Sequence, residues 1–187
     1  MGKVVVTEFI SLDGVIEDPG GSESHRDGGW SFEFDRGDDG NQFKSDETMQ
    51  SDALLLGRKT YEGFAEAWPS REGEFADKFN SMPKYVVSTT LENPEWANST
   101  VISGDLSDEV GKLKEKHDGD LVVHGSGKLI QSLMKDGLVD EYRLMVFPVV
   151  LGTGQRLFEA DTGKHDLKLV DSRTVGEGVA ILTLQPA

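Results

Sequence analysis

Apolar positions along the chain follow two periods in alternation. Lys3 to Ile10 is a β-branched run ending in Ser11-Leu12-Asp13-Gly14, which predicts a strand and then a turn where Gly14 takes positive φ. Ala53 to Gly57 is a short continuous apolar run of the kind buried on both faces of a parallel sheet. Arg58 to Trp68 follows directly, with Tyr61, Phe64, Ala65 and Trp68 at roughly helical spacing and Pro69 as its stop. Strand and helix make one βα unit. The alternation recurs: Lys84 to Ser88 and Ser99 to Ser103 read as strands, and Asp105 to His117 as a helix with the stripe Leu106, Val110 and Leu113. Asp120 to His124 is again a strand, and Ser126 to Lys135 a helix that turns Leu129, Ile130, Leu133 and Met134 inward. Strands alternating with helices predict a mostly parallel, doubly wound sheet.

Both ends break this rhythm. From about Asp18 to Gly40 the chain is rich in Gly and acid, with Trp30, Phe32 and Phe34 scattered through it, which predicts a long ordered loop; Asn41 to Ser51 then forms a helix. Near the other end, Glu141 to Val150, Leu167 to Thr174 and Gly178 to Leu184 are strands, with Gly176-Glu177-Gly178 as a hairpin turn between the last two. The expectation is one domain over residues 1–187, a three-layer α/β/α arrangement on a mixed sheet whose C-terminal strands run antiparallel.

Charge and composition narrow the partners. The 19 basic and 34 acidic side chains leave a net charge of −15, which repels phosphate backbones and anionic lipid, so neither nucleic acid nor a membrane is expected. Eleven of the acids fall between Glu17 and Asp52, read here as a solvated acidic loop. No cysteine is present, which excludes disulfides, thiolate metal sites and thiol nucleophiles and fits a cytoplasmic protein. The Val4 to Ile10 run, interrupted by Thr7 and Glu8, is a first strand rather than a targeting segment. His25, Asp27 and the other loop acids lack metal-ligand spacing, and no metal is expected.

Three turns carry candidate chemistry, each at the carboxyl end of a predicted parallel strand. In Val123-His124-Gly125-Ser126-Gly127-Lys128-Leu129 a strand passes through small residues into a helix, where free amides and the helix dipole favour a phosphate. In Gly57-Arg58-Lys59-Thr60 two cations sit at the helix start, where they oppose the dipole. Either they are solvated surface residues or an anionic ligand removes the conflict. In Ser88-Thr89-Thr90 hydroxyls follow a buried strand at the edge where open α/β sheets bind ligands. A dinucleotide stretched along that edge would use all three.

These segments, taken with Ser11-Leu12-Asp13-Gly14-Val15-Ile16 and Phe147-Pro148-Val149-Val150-Leu151-Gly152, occur in an order that resembles the dihydrofolate reductase superfamily. Within it the chain looks most like the C-terminal reductase domain of the bifunctional riboflavin-biosynthesis deaminase/reductase. The resemblance implies a dihydrofolate-reductase-like fold, NADPH as cofactor, a small flat heterocycle as substrate and a possible homodimer. It implies cofactor contacts at Gly57, Arg58, Lys59 and Thr60, at Ser88, Thr89 and Thr90, and at His124, Gly125, Ser126, Gly127 and Leu129. Leu12, Asp13, Trp30, Leu151 and Gly152 would border the substrate. Folate reductases bind the pterin through an acidic residue where this chain has Asn41, and the riboflavin-pathway enzymes place an acid where it has His124.

Asp13 is the candidate catalytic acid, on the expectation that an apolar cofactor site raises its pKa; otherwise it is an Asp-Gly turn former. His124 is either a substrate donor or a hydrogen-bonded structural residue, and Trp30 either stacks on a heterocycle or anchors its own loop. The expected activity is hydride transfer from NADPH to a C=N or C=O bond of a pterin-, pyrimidine- or flavin-pathway-like ring. Two alternatives are the riboflavin step itself, 5-amino-6-(5-phosphoribosylamino)uracil reduction, and a non-catalytic protein that binds NADPH and a heterocycle.

Overall fold

The computed structural model describes all residues 1–187. Its elements in chain order are β1 (Lys3–Ser11), a 3-10 turn (Trp30–Glu33), α1 (Gly37–Gln50), β2 (Ser51–Gly57), α2 (Arg58–Ala67), α3 (Glu74–Ser81), β3 (Lys84–Val87) and β4 (Ser99–Ile102). There follow α4 (Leu106–Lys116), β5 (Asp120–His124), α5 (Gly127–Lys135), β6 (Glu141–Phe147), β7 (Leu167–Val175) and β8 (Val179–Pro186). All eight strands join one sheet in the order β4-β3-β2-β5-β1-β6-β8-β7. The six strands from β4 to β6 are mutually parallel, and β8 and β7 close the far side antiparallel.

Period-2 alternation in the central strands feeds two cores. Val4, Val6, Ala53, Leu55, Leu121 and Val123 pack under α4 and α5, which contribute Val110, Leu113, Ile130 and Leu133. Val5, Leu54, Leu56, Val122 and Val86 pack on the opposite face against Tyr61 of α2 and Phe79 of α3. A third cluster under the antiparallel end joins Met145, Phe147, Val179 and Ile181 to Trp30 and Val15, with Phe43 of α1 packed against it. The result is the expected three layers, α/β/α. β5 matches its predicted span residue for residue, and the hairpin turns at Gly176 to Gly178, where Val175 pairs with Val179.

Several expectations need correction. α3 was absent from the reading of the sequence, although Phe75, Phe79 and Met82 repeat at helical spacing and all pack towards α2. α1 starts at Gly37 rather than Asn41, so the loop is shorter at that end. β6 stops at Phe147, because Pro148 cannot donate to a ladder. The loop itself is not a solvated acidic stretch throughout. Asp18 is buried, and its carboxylate accepts from the Glu23 and His25 amides at 2.8 and 3.1 Å. Trp30 is 1% exposed, meets Phe147 edge-on at 5.5 Å and donates its indole N–H to the Glu17 carbonyl at 2.9 Å. It anchors the loop and has no face left for a heterocycle.

Trp30→Ala removes a fully buried indole and its hydrogen bond from that third cluster. It is expected to lower unfolding free energy by about 3–5 kcal/mol, measured by urea denaturation. A loss under about 1 kcal/mol would mean that the loop is held elsewhere.

Candidate functional site

The carboxyl ends of β3, β2, β5 and β1 lie in sequence along one edge of the sheet, since Gly57 pairs with Val87 and Thr7 with His124. This aligns Ser88, the Gly57-Arg58 turn, the His124 to Gly127 turn and the Ser11 to Gly14 turn. The first three are the phosphate-compatible segments of the sequence.

The two glycine turns are joined directly. The Gly57 amide donates to the Ser126 hydroxyl at 2.8 Å, across 69 residues of sequence. Gly125 and Ser126 both have positive φ, at 55° and 63°, and a side chain on Gly125 would press on Thr60 at 3.2 Å. That conformation is costly for Ser126 and natural for Gly125. Neither α2 nor α5 has a side-chain cap at its N-terminus, whereas Asp105 caps α4 by accepting from the Asp108 amide. Two uncapped helix starts therefore project positive potential over the same edge. Arg58 and Lys59 are exposed at the first of them. Ser88 accepts from the Thr90 and Leu91 amides at 3.2 and 3.0 Å, which shapes its turn, and Thr89 and Thr90 are exposed. Leu129 belongs elsewhere: its side chain is buried in the core under α5, so only its backbone is placed to meet a ligand.

Asp13 departs from expectation in sign. Its carboxylate accepts from the Ser11 hydroxyl at 2.6 Å, the Leu151 amide at 3.1 Å and the Gly152 amide at 2.8 Å, with Arg156 at 3.6 Å. Led by the Ser11 hydrogen bond, these contacts lower its pKa to about 2. Asp13 is thus an ionised clamp between the first turn and the segment after β6, and the raised pKa expected of a proton donor is overturned. Leu151 is buried beside this clamp, while Leu12 and Val150 are exposed on it.

Beneath the edge, on the α1 face, lies a polar cluster that sequence reasoning missed. Lys44 donates to the Thr7 hydroxyl at 2.7 Å and to Glu47, which also accepts from Thr7 at 3.0 Å, and Arg143 stands 3.8 Å from Glu47. Burial alone would raise the Glu47 carboxyl, but the Lys44 charge and hydrogen bonds from Lys44 and the Thr7 hydroxyl hold it below its ordinary value. His124 points to the same face, its ring edge-on to Phe64 and Phe79 at 6.4 and 5.5 Å. Burial, reinforced by the Lys44 charge, lowers its pKa to about 3, so it is a neutral imidazole. The second missed group is Glu8, a buried carboxyl on the central strand. Thr7 and Glu8 were legible as polar residues inside a strand otherwise buried on both faces.

A family model, RibD C-terminal domain, matches residues 2–181. The chain belongs to the RibD C-terminal domain family. Reductases of this family typically use NAD(P)H. YyaP of Bacillus subtilis, an uncharacterized protein, is 31% identical over 182 residues, covering 95% of this chain and 91% of its own. Among solved structures, a protein assigned to riboflavin biosynthesis from Shewanella sp. PV-4 superposes with a TM-score of 0.79 at 22% identity, over 99% of both chains. A pyrimidine reductase-like protein from Corynebacterium diphtheriae gives 0.68 at 11% identity, over 100% of this chain and 92% of its own. The fold is dihydrofolate-reductase-like, as in the RibD C-terminal domain, and no helix in it is long and apolar enough to cross a membrane.

The pKa of His124 makes stability depend on pH in a defined direction. An unfolded histidine titrates near its ordinary 6.5 and the folded one at about 3, so protonation favours the unfolded chain between those values. His124 contributes stability above pH 6.5 that is lost as pH falls, by at most about 1.4 kcal/mol per unit. Urea unfolding of wild type and His124→Gln at about pH 7 and 5 should show the larger acid loss in wild type. Equal losses would mean that the imidazole is protonated in the folded state.

Proposed function

We propose that this RibD-family protein is an NADPH-dependent reductase of a small flat heterocycle of the pyrimidine or pterin type. The observation that carries the reading is the junction of two uncapped helix N-termini by the Gly57 to Ser126 bond, with Arg58 and Lys59 exposed beside it. A dinucleotide is long enough to reach from Ser88 to Gly127 along this edge, and its phosphates are the anions that the turns lack.

The residues divide the work. The Gly125 to Gly127 turn lets the pyrophosphate approach backbone amides closely, and Arg58, Lys59 and the hydroxyls of Thr60, Thr89 and Thr90 surround the 2′-phosphate. NADPH, when bound, supplies the hydride. The substrate lies against the α1 face, where the neutral His124, the aromatic Phe64 and the Thr7, Lys44 and Glu47 cluster border it. Asn41 in place of a carboxylate favours a ring other than folate. Asp13, Leu151 and Gly152 hold the far wall of the site in place rather than supplying a proton. Leu12 and Val150, apolar and exposed on that wall, suit contact with the substrate or with a second copy of the chain.

Calorimetry with NADPH and NADH tests the reading. The expected preference for NADPH is about 1.5–3 kcal/mol, the worth of charge-assisted contacts to a phosphate. Arg58→Ala should weaken NADPH far more than NADH. Equal affinities for the two nucleotides would contradict it. Arg58 is a better probe than Gly125, because the positive φ at Gly125 makes any side chain there strained with or without a ligand. Oxidation of NADPH across a panel of pyrimidines and pterins then names the substrate.

A further inference from the structure

β1 lies between β5 and β6 near the middle of the sheet, and a charged residue type on it demands an account. Val4, Val6 and Ile10 pack under α4 and α5, so alternation turns Glu8 to that face. Pairing of Thr7 with His124 sets Glu8 beside Gly125, where β5 leaves the sheet for the glycine turn. Glu8 is 5% exposed, and its Oε1 is enclosed without a hydrogen-bond partner. The Gly125 amide faces the carboxyl, and the charged groups nearest it are Lys44 and Glu47 of α1 and Glu23 of the long loop.

None of these neighbours compensates a buried carboxylate. Lys44 is engaged by Thr7 and Glu47 across the sheet, and the two acids oppose a further negative charge. Burial is the dominant influence and pushes the Glu8 carboxyl well above its ordinary range, which favours the neutral acid. A neutral carboxyl has a carbonyl that suits the Gly125 amide and an O–H that needs an acceptor. An ionised carboxylate here would instead repel an anionic ligand on the same turn.

We propose that Glu8 contacts the cofactor, donating a hydrogen bond from a neutral carboxyl to an oxygen of the dinucleotide where it crosses the Gly125 turn. The proposal rests on the NADPH reading above. It makes cofactor binding depend on the Glu8 proton: affinity falls as pH rises through the pKa of Glu8, because the ionised form has no O–H to give. A merely structural Glu8 behaves differently, since Leu would then fill its place, relieve a buried polar group and leave NADPH affinity alone.

The test has two arms on wild type, Glu8→Gln and Glu8→Leu. Difference infrared spectra of wild type against Glu8→Gln, without nucleotide, should show a carboxylic-acid C=O band at neutral pH; carboxylate bands in its place overturn the proposal. NADPH titrations across the pH range in which that band disappears form the second arm. Wild type should weaken with rising pH, Glu8→Gln should bind within about threefold of wild type at low pH without that dependence, and Glu8→Leu should bind about tenfold more weakly despite a raised Tm. Wild-type affinity in Glu8→Leu overturns the role of Glu8 and leaves the nucleotide reading standing. Failure of wild type to bind NADPH at any pH overturns both.

Discussion

The hydrogen bond from the Gly57 amide to the Ser126 hydroxyl holds two distant strand-to-helix turns together, and the arrangement of the site follows from it. β2 and β5 are neighbours in the sheet, so α2 and α5 begin side by side. The bond is made with Ser126 in the left-handed region, and a side chain at Gly57 would press on the Ser126 Cβ at 3.3 Å. Local strain at Ser126 is thus maintained by a tertiary contact. Two helix N-termini without side-chain caps remain, their amides aimed over one edge. A protein of net charge −15 has there a place where an anion is attracted rather than repelled.

Around that edge the chain manages charge by burial. Glu47 pairs with Lys44 under the α1 face, Arg143 pairs with Glu141 and Asp120 beside them, His124 is held neutral, and Asp13 is fixed as an anion by two amides and a hydroxyl. Glu8 takes the opposite course and keeps its proton. Glu8, Asp13 and His124 sit in or within a few residues of the turns, which is where perturbed titration concentrates in functional sites.

The parts of this architecture that depend on neighbours in sequence were legible in sequence. β5 and the βα unit at Gly57 were read because continuous apolar runs and 3.6-residue stripes are local signals, and the C-terminal hairpin because Gly176 and Gly178 punctuate it. That the three turns share one edge followed from their place at strand ends; their order along it comes from the sheet topology. What was misread depends on distance. The lowered Asp13 pKa is led by the Ser11 hydroxyl two residues away, and the amides that complete the clamp lie 138 and 139 residues away. Trp30 was left between stacking on a ligand and anchoring its loop because the Phe147 that buries it lies on another strand. α3 went unseen because its short stripe gains meaning only against Tyr61 and Trp96. Thr7 and Glu8 were taken as interruptions of an apolar run, whereas tertiary packing buries them on opposite faces of β1, Thr7 with Lys44 and Glu47 and Glu8 beside Gly125.

The claim that one sheet edge forms the nucleotide site is tested most directly by amide hydrogen exchange with and without NADPH. The account predicts slowed exchange confined to Arg58 to Thr60, Ser88 to Thr90 and Gly125 to Leu129, with smaller effects at the Asp13 to Gly152 clamp. Unchanged exchange at those turns, or protection centred instead on the approximately 460 Å³ cavity lined by Ser31, Arg36 and Asn41, would contradict it.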